Sequence, residues 1–226
     1  MFKEFFMIFS LIIVHEIGHL SLGLYFKWNI KNITIYPFGG CIKFDDKINR
    51  PIKEEFLILI FGPIFQIIFF LIIYILFLNG FISYRNINIM KSYNLALLIF
   101  NLLPIYPLDG GMLVNLLLQE KISYRKSNKI AIVISFITII LALCIYKNIN
   151  FLLMSILIIF ELLLYIKRQS YLYNKFLLER YINKIRFKKY KTINNKNNFY
   201  RDKTHVILFN NKYITEKDYL EKRYEE

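Results

Sequence analysis

The stretch "SLIIVHEIGHLSLGLYF", residues 10–26, sets two histidines and a glutamate inside an otherwise apolar run. The chain has three histidines in all, and His15 and His19 are two of them. The surrounding segment, 5–26, is long enough to cross a bilayer. Ionisable groups at that depth are costly, so they point to a functional site rather than to lipid-facing surface.

The rest of the composition agrees with a membrane chain. Of 226 residues 56% are hydrophobic, the mean hydropathy is +0.41, and the formal charge is nevertheless +14. A soluble domain seldom combines these values, whereas a membrane protein with basic cytoplasmic segments does. The two cysteines, Cys41 and Cys144, are isolated and indicate neither a disulfide framework nor a cysteine metal site. No small-residue cleavage site follows the first apolar segment, which therefore reads as a retained helix and not a signal peptide.

Five apolar segments stand out, at about 5–26, 56–78, 93–118, 130–146 and 151–166. The last two are joined by a tight "YKNIN" link and predict a helical hairpin. Residues 27–53 carry six basic side chains: Lys27, Lys31, Lys43, Lys47, Arg50 and Lys53. The later connections carry two, four and one, and the tail from Lys167 carries sixteen. High and low counts alternate, as the positive-inside rule requires. The 27–53 loop, the 119–129 loop and the C-terminus are then cytoplasmic.

In the tail, "THVILFNNKYITEKDYLEKRYEE" predicts a small hairpin turning at Asn210-Asn211, then a short helix with Thr215 as N-cap. The preceding "KRQSYLYNKFLLERYINKIRFKKYK" mixes basic with aromatic and aliphatic residues. It reads first as a solvated cytoplasmic helix attracted to anionic headgroups of the lipid bilayer, and second as a docking surface for a protein. Nucleic acid is not indicated, because membrane-proximal basic residues beside aromatics already have a lipid explanation.

His15-Glu16-Ile17-Gly18-His19 is H-E-x-x-H. On a helix the two histidines share a face, and their imidazoles converge on one ion. Glu16 projects from the adjacent position, within reach of a water that a zinc ion would make acidic. A chance match, or an interhelical hydrogen-bonding histidine, is the plainer alternative. It leaves three polar groups on one turn of an apolar helix to be satisfied otherwise, at several kcal/mol.

A catalytic zinc site normally takes three protein ligands. Two carboxylates inside the apolar segments are candidates, Glu161 and Asp109. Asp109 lies in "NLLPIYPLDGGMLVNLL", where Asn101, Pro104, Pro107, Gly110 and Gly111 break the helix around one carboxylate. Broken backbone at membrane depth is tolerated where it is buried in protein or lines a wet cavity. Counted from the cytoplasmic ends of their segments, His15, His19 and Asp109 lie roughly 16, 10 and 13 Å in. Glu161 lies only roughly 8 Å in, which suits a snorkelling or partner-pairing role. Asp109 is the expected third ligand. Asn101 reads equally as a plain interhelical hydrogen bonder or as a catalytic amide directed at the oxyanion or the substrate backbone.

"NITIYPFGGCIKF" alternates around a Pro-Phe-Gly-Gly turn and predicts a membrane-associated β-hairpin. It is either a simple cytoplasmic hairpin or an edge that holds an unwound substrate by strand addition. "FGPIFQ", at 61–66, breaks the second span; Gly62 and Pro63 either kink it or let the hairpin and the zinc helix approach.

In this order, "HEIGH", "PFGG", "FGPIFQ" and "NLLPIYPLDGG" resemble the site-2 protease family of intramembrane zinc metalloproteases, across about residues 10–115. The sporulation-specific branch is the most similar. The resemblance implies zinc (Zn2+) held by His15, His19 and Asp109, with Glu16 as catalytic acid/base. It further implies Asn101 and Pro107 as active-site residues, and the "PFGG" match adds Gly39 and Gly40 as supporting ones. It implies a membrane-associated substrate, the pro-sequence of a sigma-factor precursor, and inhibitory membrane protein partners. The implied location is the bacterial cell membrane or the membrane around the forespore. Relatives carry a C-terminal nucleotide-sensing module, longer than the sixty residues here, so ATP is a candidate ligand of that region. A homo-oligomer is among the assemblies open to such a chain.

The expected fold is an all-α polytopic membrane protein of about five transmembrane helices, with the hairpin loop and a small cytoplasmic α+β tail. The expected division is an intramembrane metalloprotease domain over 1–166 and a basic cytoplasmic regulatory or interaction region over 167–226. Two rivals remain: a membrane zinc protease of prenyl-processing type with a glutamate third ligand, and a non-enzymatic metal transporter or scaffold that retains the histidine pair.

Overall fold

The apolar run around the HEIGH sequence forms one helix, α1 (Phe2–Tyr25), because a helix satisfies every backbone group within the segment. The computed structural model describes residues 2–36, 39–44, 48–146, 148–194, 198–209 and 212–225. The chain divides into two compact units, Met1–Asp46 with Glu54–Leu103, and Lys47–Lys53 with Pro104–Glu226.

In the first unit α1 is followed by strands β1 (Ile30–Tyr36) and β2 (Gly39–Phe44), which pair antiparallel with Ile33 opposite Ile42 and Thr34 opposite Cys41. The expected hairpin is present; Pro37 and Phe38 of its turn lie outside the described residues. Strand β2 packs on α1 through Phe44, whose ring occupies the space that a side chain at Gly23 would need. Trp28 meets the same ring edge-on at a centroid distance of 5.6 Å. Helix α2 (Ile52–Leu78) is the most apolar element, with Leu71, Ile72 and Ile75 among its outward side chains, as a lipid-facing surface requires. Helix α3 (Tyr84–Leu102) packs against α1.

The apolar segment 93–118 is not one helix. It stops at Leu102 and restarts as α4 (Asp109–Lys121), with 103–108 as the non-helical link. The cause is local. Pro104 disfavours helical backbone at Leu103, and Pro107 lacks the N–H that would reach residue 103. The stretch from Asp109 to Leu118 is helical.

The second unit continues with α5 (Tyr124–Ile145) and α6 (Ile149–Asn183), which pack on each other as the expected hairpin. Both run well past their apolar segments. Beyond α6 come β3 (Tyr190–Ile193), β4 (Thr204–Phe209) and β5 (Lys212–Thr215) in one sheet, β3 parallel and β5 antiparallel to the central β4. The expected turn residues Asn210 and Asn211 lie outside the described residues. Helix α7 (Glu216–Tyr224) is capped by Thr215, whose Oγ1 accepts from the Asp218 N–H at 3.2 Å. Acidic Glu216 and Asp218 open this helix and basic Lys222 and Arg223 close it, matching its dipole.

The basic end of α6 is solvated on one face only. Its other face supplies Tyr173, Phe176 and Leu177 to a core completed by Tyr124, Ile193, Phe199, Ile207 and Leu220. Arg180 is buried with them. Its Nε donates to Asn49 Oδ1 at 2.8 Å, Nη1 to Glu216 Oε1 at 2.8 Å, and Nη2 to the Tyr200 carbonyl at 2.7 Å. The guanidinium also lies over Phe176, 4.6 Å from the ring centroid. A charge so enclosed is tolerable because nearly all its donors have acceptors.

Among the described residues three helical stretches are long and apolar enough to cross a membrane: Lys3–Tyr25, Ile52–Leu78 and Tyr124–Ile145. The chain is a mostly helical integral membrane protein with a small C-terminal sheet.

Candidate metal centre

The four-residue spacing on α1 turns His15 and His19 to one side, and both are buried. Their Nε2 atoms face each other at 3.1 Å. Each Nδ1 points away from that meeting point to an oxygen of α2. His15 Nδ1 donates to Gln66 Oε1 at 2.9 Å, and His19 Nδ1 donates to the Ile58 carbonyl at 2.8 Å. An amide oxygen and a carbonyl only accept, so the proton of each neutral ring sits on Nδ1. Both Nε2 lone pairs are thereby directed at one place, the arrangement a metal-binding histidine pair needs.

Glycines make the approach of α1 and α2 possible. A Cβ at Gly18 would run into the Phe61 carbonyl and lie 2.9 Å from Gly62 Cα. A Cβ at Gly62 would run into the His19 ring and lie 2.9 Å from His15 Nε2. Gly62 thus lets both imidazoles pack directly against the backbone of α2. Of the two readings of "FGPIFQ", the approach of the HEIGH helix is realised. Pro63, inside α2, also lacks the N–H that would otherwise reach the Leu59 carbonyl.

Asn101, near the end of α3, comes to the same place, with Nδ2 at 3.3 Å from His15 Nε2. Glu16 follows His15 directly on α1 and is half-buried. Gly39 and Gly40 open β2, where their ladder partners are Tyr36 and Ile35.

In the second unit Asp109 is the first residue of α4, where the helix dipole favours a carboxylate. The link before it is held from several sides. The Tyr106 N–H donates to Ser135 Oγ of α5 at 2.9 Å, and the Tyr106 ring stacks on Tyr165 of α6 with centroids 3.8 Å apart. The Leu108 N–H donates to the Ile105 carbonyl at 2.8 Å. Gly111 lies so close to Ile105 and Tyr106 that a Cβ there would strike their backbone. Pro107 follows a cis peptide bond from Tyr106. Glu161 lies within α6.

Two residues of the centre carry no assignment from sequence. Gln66 is fully buried, and its Nε2 donates to both the carbonyl and Oδ1 of Asn94, each at 3.0 Å. The signal existed: Gln66 is a polar residue in an apolar run, the same anomaly that exposes His15 and His19. Asn94 is less marked, because it stands at the start of the apolar segment 93–118, next to the polar first half of α3.

His15 and His19 offer two imidazole nitrogens directed at one point, donors that fit zinc. The tautomers fixed by Gln66 and the Ile58 carbonyl fit it as well.

The profile of peptidase family M50 matches residues 4–84 and 79–143. Stage IV sporulation protein FB of Bacillus subtilis is 33% identical over 181 residues, which is 78% of this chain and 63% of that protein. A zinc metalloprotease of Methanocaldococcus jannaschii is 33% identical over 133 residues, 56% of this chain and 38% of its own length. Among solved structures, the site-2 protease from Methanocaldococcus jannaschii has a TM-score of 0.55 and 30% identity, covering 71% of this chain and 76% of that one. The chain spans less than two thirds of the length of these curated relatives.

Proposed function

Since this chain belongs to peptidase family M50, the family of the site-2 proteases, we propose that it is an intramembrane zinc endopeptidase. It hydrolyses a peptide bond of a membrane-associated protein near the cytoplasmic face. The observation that carries this is the convergence of His15 Nε2 and His19 Nε2 at 3.1 Å, with a glutamate between them in sequence.

His15 and His19 bind zinc through Nε2, and Asp109 supplies the third donor. A bound zinc ion contributes Lewis-acid polarisation of a peptide carbonyl and activation of water near neutral pH. Glu16 takes the proton of the attacking water and returns it to the leaving amine nitrogen. Asn101, beside His15 Nε2, holds the substrate carbonyl oxygen or backbone through its amide. Pro107 shapes the link that presents Asp109. The β1–β2 hairpin, with Gly39 and Gly40 at its turn, holds the unwound substrate by strand addition; a helical peptide bond is shielded by its own hydrogen bonds.

The finer reading is a five-span chain with a cytoplasmic C-terminus, its protease domain over 1–166 and a basic regulatory or interaction region over 167–226. The likeness to a sporulation protein supports a role in sporulation; with it go the substrate of the sigma-factor precursor class, the inhibitory membrane protein partners and the membrane around the forespore that the resemblance implies. ATP and a second copy of the chain are further partners to test.

The deciding experiment is co-expression with a candidate precursor, comparing wild type with Glu16→Gln and measuring zinc in both. A variant that keeps zinc and gives no product supports the protease. Cleavage by Glu16→Gln rules out its role as base. Zinc in both proteins and cleavage by neither favours a transporter or scaffold.

A further inference from the structure

The His15–Gln66–Asn94 chain has a direction that fixes its chemistry. Gln66 Nε2 has two hydrogens, and both face oxygen acceptors, the carbonyl and Oδ1 of Asn94. The opposite amide orientation would set Gln66 Oε1 against two oxygens. Oε1 must therefore face His15 Nδ1, which it does at 2.9 Å. An acceptor at that point forces the imidazole proton onto Nδ1 and leaves Nε2 as the donor atom. The other imidazole is fixed by a main-chain carbonyl, Ile58, so only the His15 side depends on side-chain identity. Gln66 and Asn94 are both buried, so water does not compete for these bonds.

We infer that Gln66, oriented by Asn94, is a positioning residue that selects the metal-binding tautomer of His15. This rests on the zinc reading of the histidine pair. A neutral amide does here what a carboxylate does behind many zinc-bound histidines, without adding a buried charge.

The test is zinc affinity of the full chain in detergent, by competition with a chromophoric chelator, with the Co2+ absorption spectrum as a second readout. Outer partners of metal-bound histidines are worth about 10–100-fold in affinity, and Gln66→Leu should lose that much. Gln66→Glu keeps an acceptor for Nδ1–H and should stay within a few-fold of wild type. Asn94→Ala, which leaves the main-chain carbonyl as one acceptor, should fall between them. The Co2+ bands should shift in Gln66→Leu, while helix content by circular dichroism stays unchanged. Equal zinc affinity in wild type and Gln66→Leu overturns the inference, and so does an equal loss in the Leu and Glu variants, which would make the role one of packing. Should Gln66→Leu fail to fold, Asn94→Ala decides, and unchanged affinity there overturns it. Wild-type protein that takes up no zinc overturns the metal reading itself, which separates that failure from this one.

Discussion

His15 Nε2 and His19 Nε2 face each other at 3.1 Å while both Nδ1 atoms donate to oxygens of α2. Two lone pairs held that close repel unless a cation lies between them. Zinc should therefore stabilise the folded chain: at free zinc about 100-fold above its Kd the gain is about 2.7 kcal/mol. Chelation should lower the melting temperature of wild type in detergent. It should leave that of His19→Ala unchanged, because that variant holds no zinc to lose.

Gly62 should tolerate no side chain. A methyl group there meets the His19 ring and lies 2.9 Å from His15 Nε2. Gly62→Ala should cost about 1–3 kcal/mol of stability through overpacking and should also weaken zinc binding. Gly18→Ala clashes with the Phe61 backbone instead and should separate α1 from α2 with a similar loss. Thermal melting and zinc titration of both variants check this.

Asn101 distinguishes catalysis from scaffolding. An amide acting on the reacting carbonyl is worth about 10²–10³ in kcat. Asn101→Ala should lose on that scale while keeping zinc and melting temperature close to wild type. A fall in stability with kcat unchanged would make Asn101 an interhelical hydrogen bonder only.

Glu216 should matter more to the C-terminal core than any surface charge. Its Oε1 pairs with buried Arg180 at 2.8 Å, and its Oε2 accepts from His205 Nδ1 at 2.9 Å and from the His205 main-chain N–H. Glu216→Gln leaves a buried guanidinium without its counter-charge and should cost about 3–5 kcal/mol. Equilibrium unfolding of that variant in denaturant measures it.

The same cluster should weaken in acid. His205 Nε2 accepts from the Tyr200 N–H at 2.9 Å, so the ring is neutral. Burial holds its pKa below the usual 6.5, with Arg180 and Lys203 adding to the effect and Glu216 opposing it. Burial pushes Glu216 up, but the hydrogen bond from His205 and the charge of Arg180 outweigh it and hold the carboxyl below its usual 4.5. In both cases the unfolded chain binds protons that the folded one refuses, so stability falls as pH drops. The His205 contribution is fully present above pH 6.5 and declines below it; the Glu216 contribution is present above 4.5 and is lost below. Hydrogen exchange of the β4 amides, corrected for intrinsic rates, should show the His205 part of this loss between pH 7.5 and 5.

The sequence by itself determined the membrane class, the histidine pair and the tail's closing elements. Each rests on a short-range pattern: an apolar run with misplaced polar groups, a four-residue spacing, a Thr-capped helix after a strand. The break before Asp109 was also legible, because Pro104 and Pro107 act on their immediate neighbours. Other features were decided only by tertiary structure. The burial of Arg180 depends on Asn49, Tyr200 and Glu216, residues that no local pattern links to it. The tautomer of His15 depends on Gln66, fifty-one positions away, and the orientation of Gln66 depends in turn on Asn94. Spacing along one helix decides which side chains share a face. The proton position on each imidazole is set by the acceptor that a second helix brings to it, and that acceptor is chosen only when the chain packs.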